Sequence, residues 1–139
     1  MTEPDPPPGP LAQRALALQA QQNEAQEIAG RGFACITSRP AEAFQLLTEA
    51  LEKCAASFSA QEEFLRQTDW GPAQIPQLRH EAVETRVQLL YGQGQAAFLL
   101  SRLPEARAAF EEALALIGDQ QHPARPMLRA ALANVSAQE

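Results

Sequence analysis

A chain of 139 residues, 45% of them apolar and 20% charged, can bury a core of its own without disulfides or a metal to staple it. A formal net charge of -6 argues against a nucleic-acid partner, which calls for a basic stripe facing the phosphates. Aromatic residues make up only 6% while alanine is abundant, which suits closely approaching helices better than a ring-filled core.

Residues 1–10, Met-Thr-Glu-Pro-Asp-Pro-Pro-Pro-Gly-Pro, read as a disordered or polyproline-II tail, because proline lacks the amide donor and restricts its predecessor. From residue 11 to 139 the pattern is that of one helical domain. Leu11, Ala15, Leu18, Gln22, Ala25, Ile28 and Ala29 recur at three- and four-residue steps and predict a first helix. It is free to continue through Gly30-Arg31-Gly32 toward Ile36 and must stop before Pro40. Each glycine there weakens a helix by roughly 1 kcal/mol, a cost justified only by a closely packed neighbour or a break.

A second helix is expected from about Ala41 to Phe58, with Phe44, Leu47, Leu51, Cys54 and Phe58 on one face. Ser59-Ala60-Gln61-Glu62 has the form of a capping box and predicts a short linking helix over 59–69, closed by Asp69-Trp70-Gly71-Pro72. The third helix runs from about Ile75 to Ser101 and carries Leu78, Val83, Val87, Leu90, Tyr91, Phe98 and Leu99. After a turn at Leu103-Pro104 comes a helix with Ala106, Phe110, Ala113, Leu114 and Ile117 inward, stopped by Gly118. A last helix spans about 124–136. No alternating strand pattern occurs anywhere, so the fold class is all-α.

Cys35 and Cys54 fall on consecutive antiparallel helices at levels about 15 Å apart along the axis. That is too far for a disulfide, so both are expected as buried reduced thiols. No basic and apolar leader and no membrane-length apolar run is present, which makes the cytoplasm the expected compartment.

The chain also echoes itself. Ser38-Arg39-Pro40-Ala41-Glu42-Ala43, with Leu47 and Glu49-Ala50-Leu51, returns 63 residues later as Ser101-Arg102-Leu103-Pro104-Glu105-Ala106, with Phe110 and Glu112-Ala113-Leu114. Self-similarity of this kind marks a supersecondary unit stacked on a copy of itself. The repeated element carries small residues and spaced apolar residues and no reactive side chain, which points to a scaffold rather than a catalyst.

In the second copy Gly94, Ala106, Phe110 and Ala113 follow at spacings of 12, 4 and 3. This resembles the tetratricopeptide repeat, a helix–turn–helix of about 34 residues with small residues where its A and B helices cross. By that resemblance Gly94 and Ala106 let the helices approach, Phe110 plugs the space between them and Ala113 admits the next helix. Leu90 takes the signature's tryptophan position and Leu103 its turn-flanking apolar one. Ala97 stands where an aromatic is usual, and Gly118 where proline is usual. The first copy matches at Ala43, Leu47 and Ala50, but Arg31 occupies the glycine position. The resemblance covers 24–57 and 87–120 and is more specific in the second stretch.

It implies antiparallel hairpins stacked as a short right-handed superhelix, whose A helices line a groove for a partner's peptide or helix. On this chain the groove would hold Gln88, Tyr91, Gln95 and Phe98, with Ile28, Gly32, Cys35 and Ile36 from the first unit. The subclass that grips a C-terminal carboxylate uses Lys and Asn on its A helices. Here the only lysine, Lys53, falls on a B helix, so chaperone C-terminal tails are poor candidate ligands. Chaperones of bacterial type III secretion are similar in being small, acidic and sometimes tetratricopeptide-like.

The expected function is a protein–protein adaptor or chaperone; the alternative is a self-associating assembly subunit, such as a homodimer. Two repeat units without a clear polar cap leave an apolar end face for a copy of the chain. Trp70 reads either as an exposed partner anchor or as a lid over the first hairpin. His80 and His122 stand alone, so neither a metal nor a cofactor is expected. No Ser, Cys or Asp is placed with a His as nucleophile and base, and no enzyme is expected.

Overall fold

Proline sets where the helices begin. In the computed structural model, which describes residues 9–139, four of the five α-helices carry proline at their first or second position. There the missing N–H is no loss and the ring's fixed φ suits the helix. The elements are α1 (Pro10–Ala34), α2 (Pro40–Arg66), a 3-10 turn (Pro72–Gln74), α3 (Ile75–Leu99), α4 (Leu103–Ile117) and α5 (Ala124–Gln138). No strand occurs among the described residues, and no helix there is long and apolar enough to cross a membrane. The expected tail falls outside the described residues except for its last two positions, and Pro10 is already the first residue of α1.

Each helix packs against the next in sequence, giving an antiparallel zigzag. In addition α1 touches α3 and α3 touches α5, whereas α2 and α4 do not meet. The main core gathers Val87, Leu90 and Ala97 of α3, Phe110, Ala113 and Ile117 of α4, and Leu128 and Val135 of α5. A second cluster joins Ala25 and Ile28 of α1 to Leu47, Ala50 and Cys54 of α2 and Leu89 of α3.

The linking helix over 59–69 is not a separate element. Ser59 is an exposed mid-helix residue of α2, which runs on to Arg66. The apolar face of α2 explains this, since Leu47, Ala50, Cys54, Ser57, Phe64 and Leu65 remain buried through Ser59 without a breaker. Ser57 is fully buried, and its hydroxyl donates to Gln22 Oε1 at 2.6 Å. Gln61 Nε2 donates to both of these oxygens, at 3.0 and 3.2 Å. A polar trio this well satisfied ties α1 to α2 at the level where the sequence suggested a break.

The echo is an echo of packing. Ala43 and Ala106, Leu47 and Phe110, and Ala50 and Ala113 are all buried at the crossings of their hairpins. Arg39 pairs with Glu42 at 3.1 Å and Arg102 with Glu105 at 2.7 Å, so each copy opens its second helix with the same exposed ion pair. The glycine position differs by one residue between copies. Arg31 is exposed, and it is Gly32 that lies against Leu47 as Gly94 lies against Phe110. Gly30 faces open space and serves no packing role.

α3 ends in a Schellman motif. The Arg102 N–H donates to the Ala97 carbonyl at 2.9 Å and the Ser101 N–H to the Phe98 carbonyl at 3.0 Å. Ser101 takes φ 60° to make this turn, a left-handed conformation that costs an L-residue roughly 1–2 kcal/mol and glycine little. Ser101→Gly should therefore raise stability by about 1 kcal/mol, seen as a melting temperature a few degrees higher. An unchanged or lower value would show that the serine is not strained.

Both cysteines are free and buried. Burial also pushes the Cys54 thiol above its ordinary pKa, so it packs as a small apolar group.

Candidate functional site

Along α3, Gln77, Glu81, Glu84, Gln88, Tyr91, Gln95 and Phe98 follow one another at alternating steps of four and three. They therefore share one face. Two hollows open beside this stripe, one at each end.

The hollow at the C-terminal end of α3 has a volume of about 460 Å³. Tyr91, Gln95 and Phe98 form one wall, Met127, Ala131 and Asn134 of α5 the other, and Ile36 and Phe110 add apolar surface. The Tyr91 ring rests 5.9 Å from that of Phe110, tilted by 51°. Leu99 and Met127 also line it and remain 49% and 48% exposed, a large apolar area to leave in water. The lining has no charged side chain. Its polar groups are those of Thr37, Tyr91, Gln95 and Asn134, which can donate and accept hydrogen bonds.

Three of the four α3 residues expected in a groove thus line one hollow. Gln88 is exposed on the stripe and outside both hollows. The first unit's candidates are mostly corrected. Ile28, Gly32 and Cys35 are buried, because the three-and-four stepping of α1 turns them toward α2, and only Ile36 reaches the hollow. The α5 wall was not singled out in the sequence. Its signal was the spacing of Met127, Ala131 and Asn134, a second helical face beyond the one carrying Leu128 and Val135.

The hollow at the other end, about 490 Å³, lies between the N-terminal halves of α1 and α3 over the end of α2. Gln19, Gln22, Gln61 and Gln77 are among its lining residues, with Leu18 and Phe64. Trp70 stands at this end, with its ring edge-on to Phe64 at a centroid distance of 6.5 Å. It is 57% exposed, so it covers part of the first hairpin's end without being sealed there. It is not brought together with Tyr91, Gln95 and Phe98.

Electrostatics fix the frame around the site. Glu84 accepts from His122 Nε2 at 2.8 Å, while His122 Nδ1 accepts the Ala124 N–H at 3.0 Å. That arrangement places the proton on Nε2 and pins the start of α5 against α3. At the far end the Arg79 guanidinium, with Arg66 beside it, holds the Glu62 carboxyl below the usual carboxylate range and bridges α2 to α3. His80 is exposed. Among the described residues no group of three His, Cys, Asp or Glu side chains is placed to hold a metal ion.

Compared with known protein families, curated proteins and solved structures, the chain matches none of them. The chemistry of the site has to be taken from its own residues. The hollow between α3 and α5 offers apolar surface, a phenol and neutral amides, but no carboxylate, imidazole or thiol for proton transfer.

Proposed function

We propose that this chain is a protein-interaction module, used as an adaptor or chaperone, that takes a peptide or helix of another chain into the hollow between α3 and α5. One observation carries this reading: Tyr91, Gln95 and Phe98 line an uncharged hollow with the exposed Met127 and Leu99. An apolar, uncharged hollow between two helices is the kind of groove that takes the apolar face of a partner helix. The contacts among α1, α3 and α5, with α2 and α4 apart, support a short tetratricopeptide-like superhelix with the first, third and fifth helices as its inner row. The net charge of -6 favours a protein over a nucleic acid as partner, and the two free thiols fit the reducing cytoplasm.

The test is a double substitution, Tyr91→Ala with Gln95→Ala. The α-helical circular dichroism should be unchanged, because both side chains are only half-buried. Proteins retained by the parent chain from its own cell extract should be lost, since removal of one aromatic anchor typically costs about tenfold or more in affinity. The same proteins retained on both baits would refute the groove.

A second reading, a self-associating assembly subunit, is favoured by the first half of α1. All of residues 11–20 except Leu18 are exposed there, and they include Leu11 and Leu16.

A further inference from the structure

We infer that the occupant of the hollow between α3 and α5 is the first half of α1 from a second copy, so that chains join head to tail. The inference rests on the groove reading above and names its ligand. Residues 10–23 contain one charged side chain, Arg14, although a fifth of the whole chain is charged. Arg14 is engaged at home, donating to Gln67 Oε1 and lying over the Phe64 ring at 5.5 Å from its centroid. The rest of this half-helix is Leu, Ala, Gln and Asn after its opening proline.

Helical stepping from Leu18, which packs against the cluster of Phe64, Leu65 and Leu78, turns Ala12, Leu16 and Ala20 to the opposite side. Leu16 is 63% exposed there, the most exposed large apolar residue described. This surface complements the hollow in kind. Both are uncharged, both carry apolar side chains that water now covers, and both add neutral amides, Gln19 and Asn23 on the helix and Gln95 and Asn134 in the hollow. A charged segment would lose its hydration in this hollow and find no countercharge.

The dimensions agree as well. Tyr91 to Phe98 and Met127 to Asn134 each form a wall of about 10 Å, and Ala12 to Ala20 covers about 12 Å of helix. Because donor and acceptor are different surfaces of one molecule, the contact is heterologous and repeats from chain to chain unless it closes into a ring.

Sedimentation equilibrium of the full chain, from about 5 to about 500 µM, spans the affinities of small interfaces. The average mass should rise with concentration above the 15.1 kDa of one chain. Leu16→Glu removes the donor and Met127→Glu the acceptor. Both side chains are exposed, Leu16 by 63% and Met127 by 48%, so each variant should keep the parent's circular dichroism and associate at least about tenfold more weakly. The decisive sample is an equimolar mixture of the two variants. One retains a good hollow and the other a good helix, so together they should form a dimer of two chains and nothing larger. A mixture that stays monomeric while the parent associates would overturn the head-to-tail contact in favour of a self-complementary one. A parent that is monomeric throughout would sink this inference and leave the groove reading to its Tyr91 and Gln95 test. Should Met127→Glu associate like the parent while Leu16→Glu does not, the hollow is not the acceptor for a second copy and this inference falls, while the groove reading is still decided by its Tyr91 and Gln95 test.

Discussion

Phe110→Ala should lower the stability of this chain by about 3–5 kcal/mol, the range for deleting a buried phenylalanine where the surroundings cannot collapse. Phe110 is 1% exposed and stands at the centre of the main core, with α3 residues on one side and α5 residues on the other. A cavity there has a wall that cannot close in: Gly94 has no side chain, and its helix already lies against the ring. For a domain of this length the loss corresponds to a fall in melting temperature of roughly 10–15 °C. Its echo, Leu47→Ala, should cost about 2–5 kcal/mol, because Leu47 of α2 is fully buried against α1 and α3. Phe110 also lines the hollow and supports Tyr91, so its removal should weaken binding along with folding. A chemical-denaturation midpoint close to the parent's would mean that α3, α4 and α5 do not share the core described.

What the sequence made legible was the helix-packing grammar. Small residues at Ala43, Ala50, Ala106 and Ala113 mark crossings because only a methyl group fits between two backbones, and that constraint is written in residue size. The Gly118 stop was legible for the same local reason, whereas Pro10 and Leu103-Pro104, read as tail and turn, lie inside the first turns of α1 and α4, where proline's missing N–H costs nothing. The run through Ser59 was not. A serine followed three residues later by glutamate satisfies the capping rule, but nothing compels a helix to end there when its buried face continues. The one-residue shift from Arg31 to Gly32 was hidden too, since the spacing to Leu47 depends on how α1 closes before Pro40.

The candidate site was half legible. Tyr91, Gln95 and Phe98 could be placed on one helical face from their spacing, because an α-helix turns by a fixed angle per residue. Which neighbour faces them is a question of how α5 returns across α3. That return is held by long-range contacts such as Glu84 with His122, 38 residues apart, which carry no local signal. Ile28, Gly32 and Cys35 were displaced from the groove for a related reason. A repeat register transferred from the second hairpin to the first fails once the two turns differ in length, with α1 and α2 separated by residues 35–39 and α3 and α4 by residues 100–102.

The same substitution should have opposite effects at two glycines of that first-helix position. At Gly94 an added methyl carbon would sit 2.5 Å from one Phe110 ring carbon and 2.7 Å from the next, closer than van der Waals contact allows. The ring is 1% exposed and packed within the main core against the α3 backbone, so overpacking of about 1–3 kcal/mol outweighs the roughly 1 kcal/mol that alanine gains over glycine in a helix. At Gly30 the methyl would meet nothing within 4 Å, and the full helical gain of about 1 kcal/mol should appear as added stability. Gly92 falls between them, since its methyl would meet Phe33, a partly exposed ring that can swing aside, but also lie 3.1 Å from Cδ1 of the fully buried Leu47. Urea midpoints with unchanged slopes measure all three. The clash itself is isolated by a cycle with Phe110→Leu, a smaller side chain that leaves room: in that background Gly94→Ala should be neutral or stabilising. If Gly94→Ala is as harmless as Gly30→Ala in the parent, α3 and α4 do not cross at Gly94. The packing that the two halves share would then have to be sought elsewhere along the hairpin.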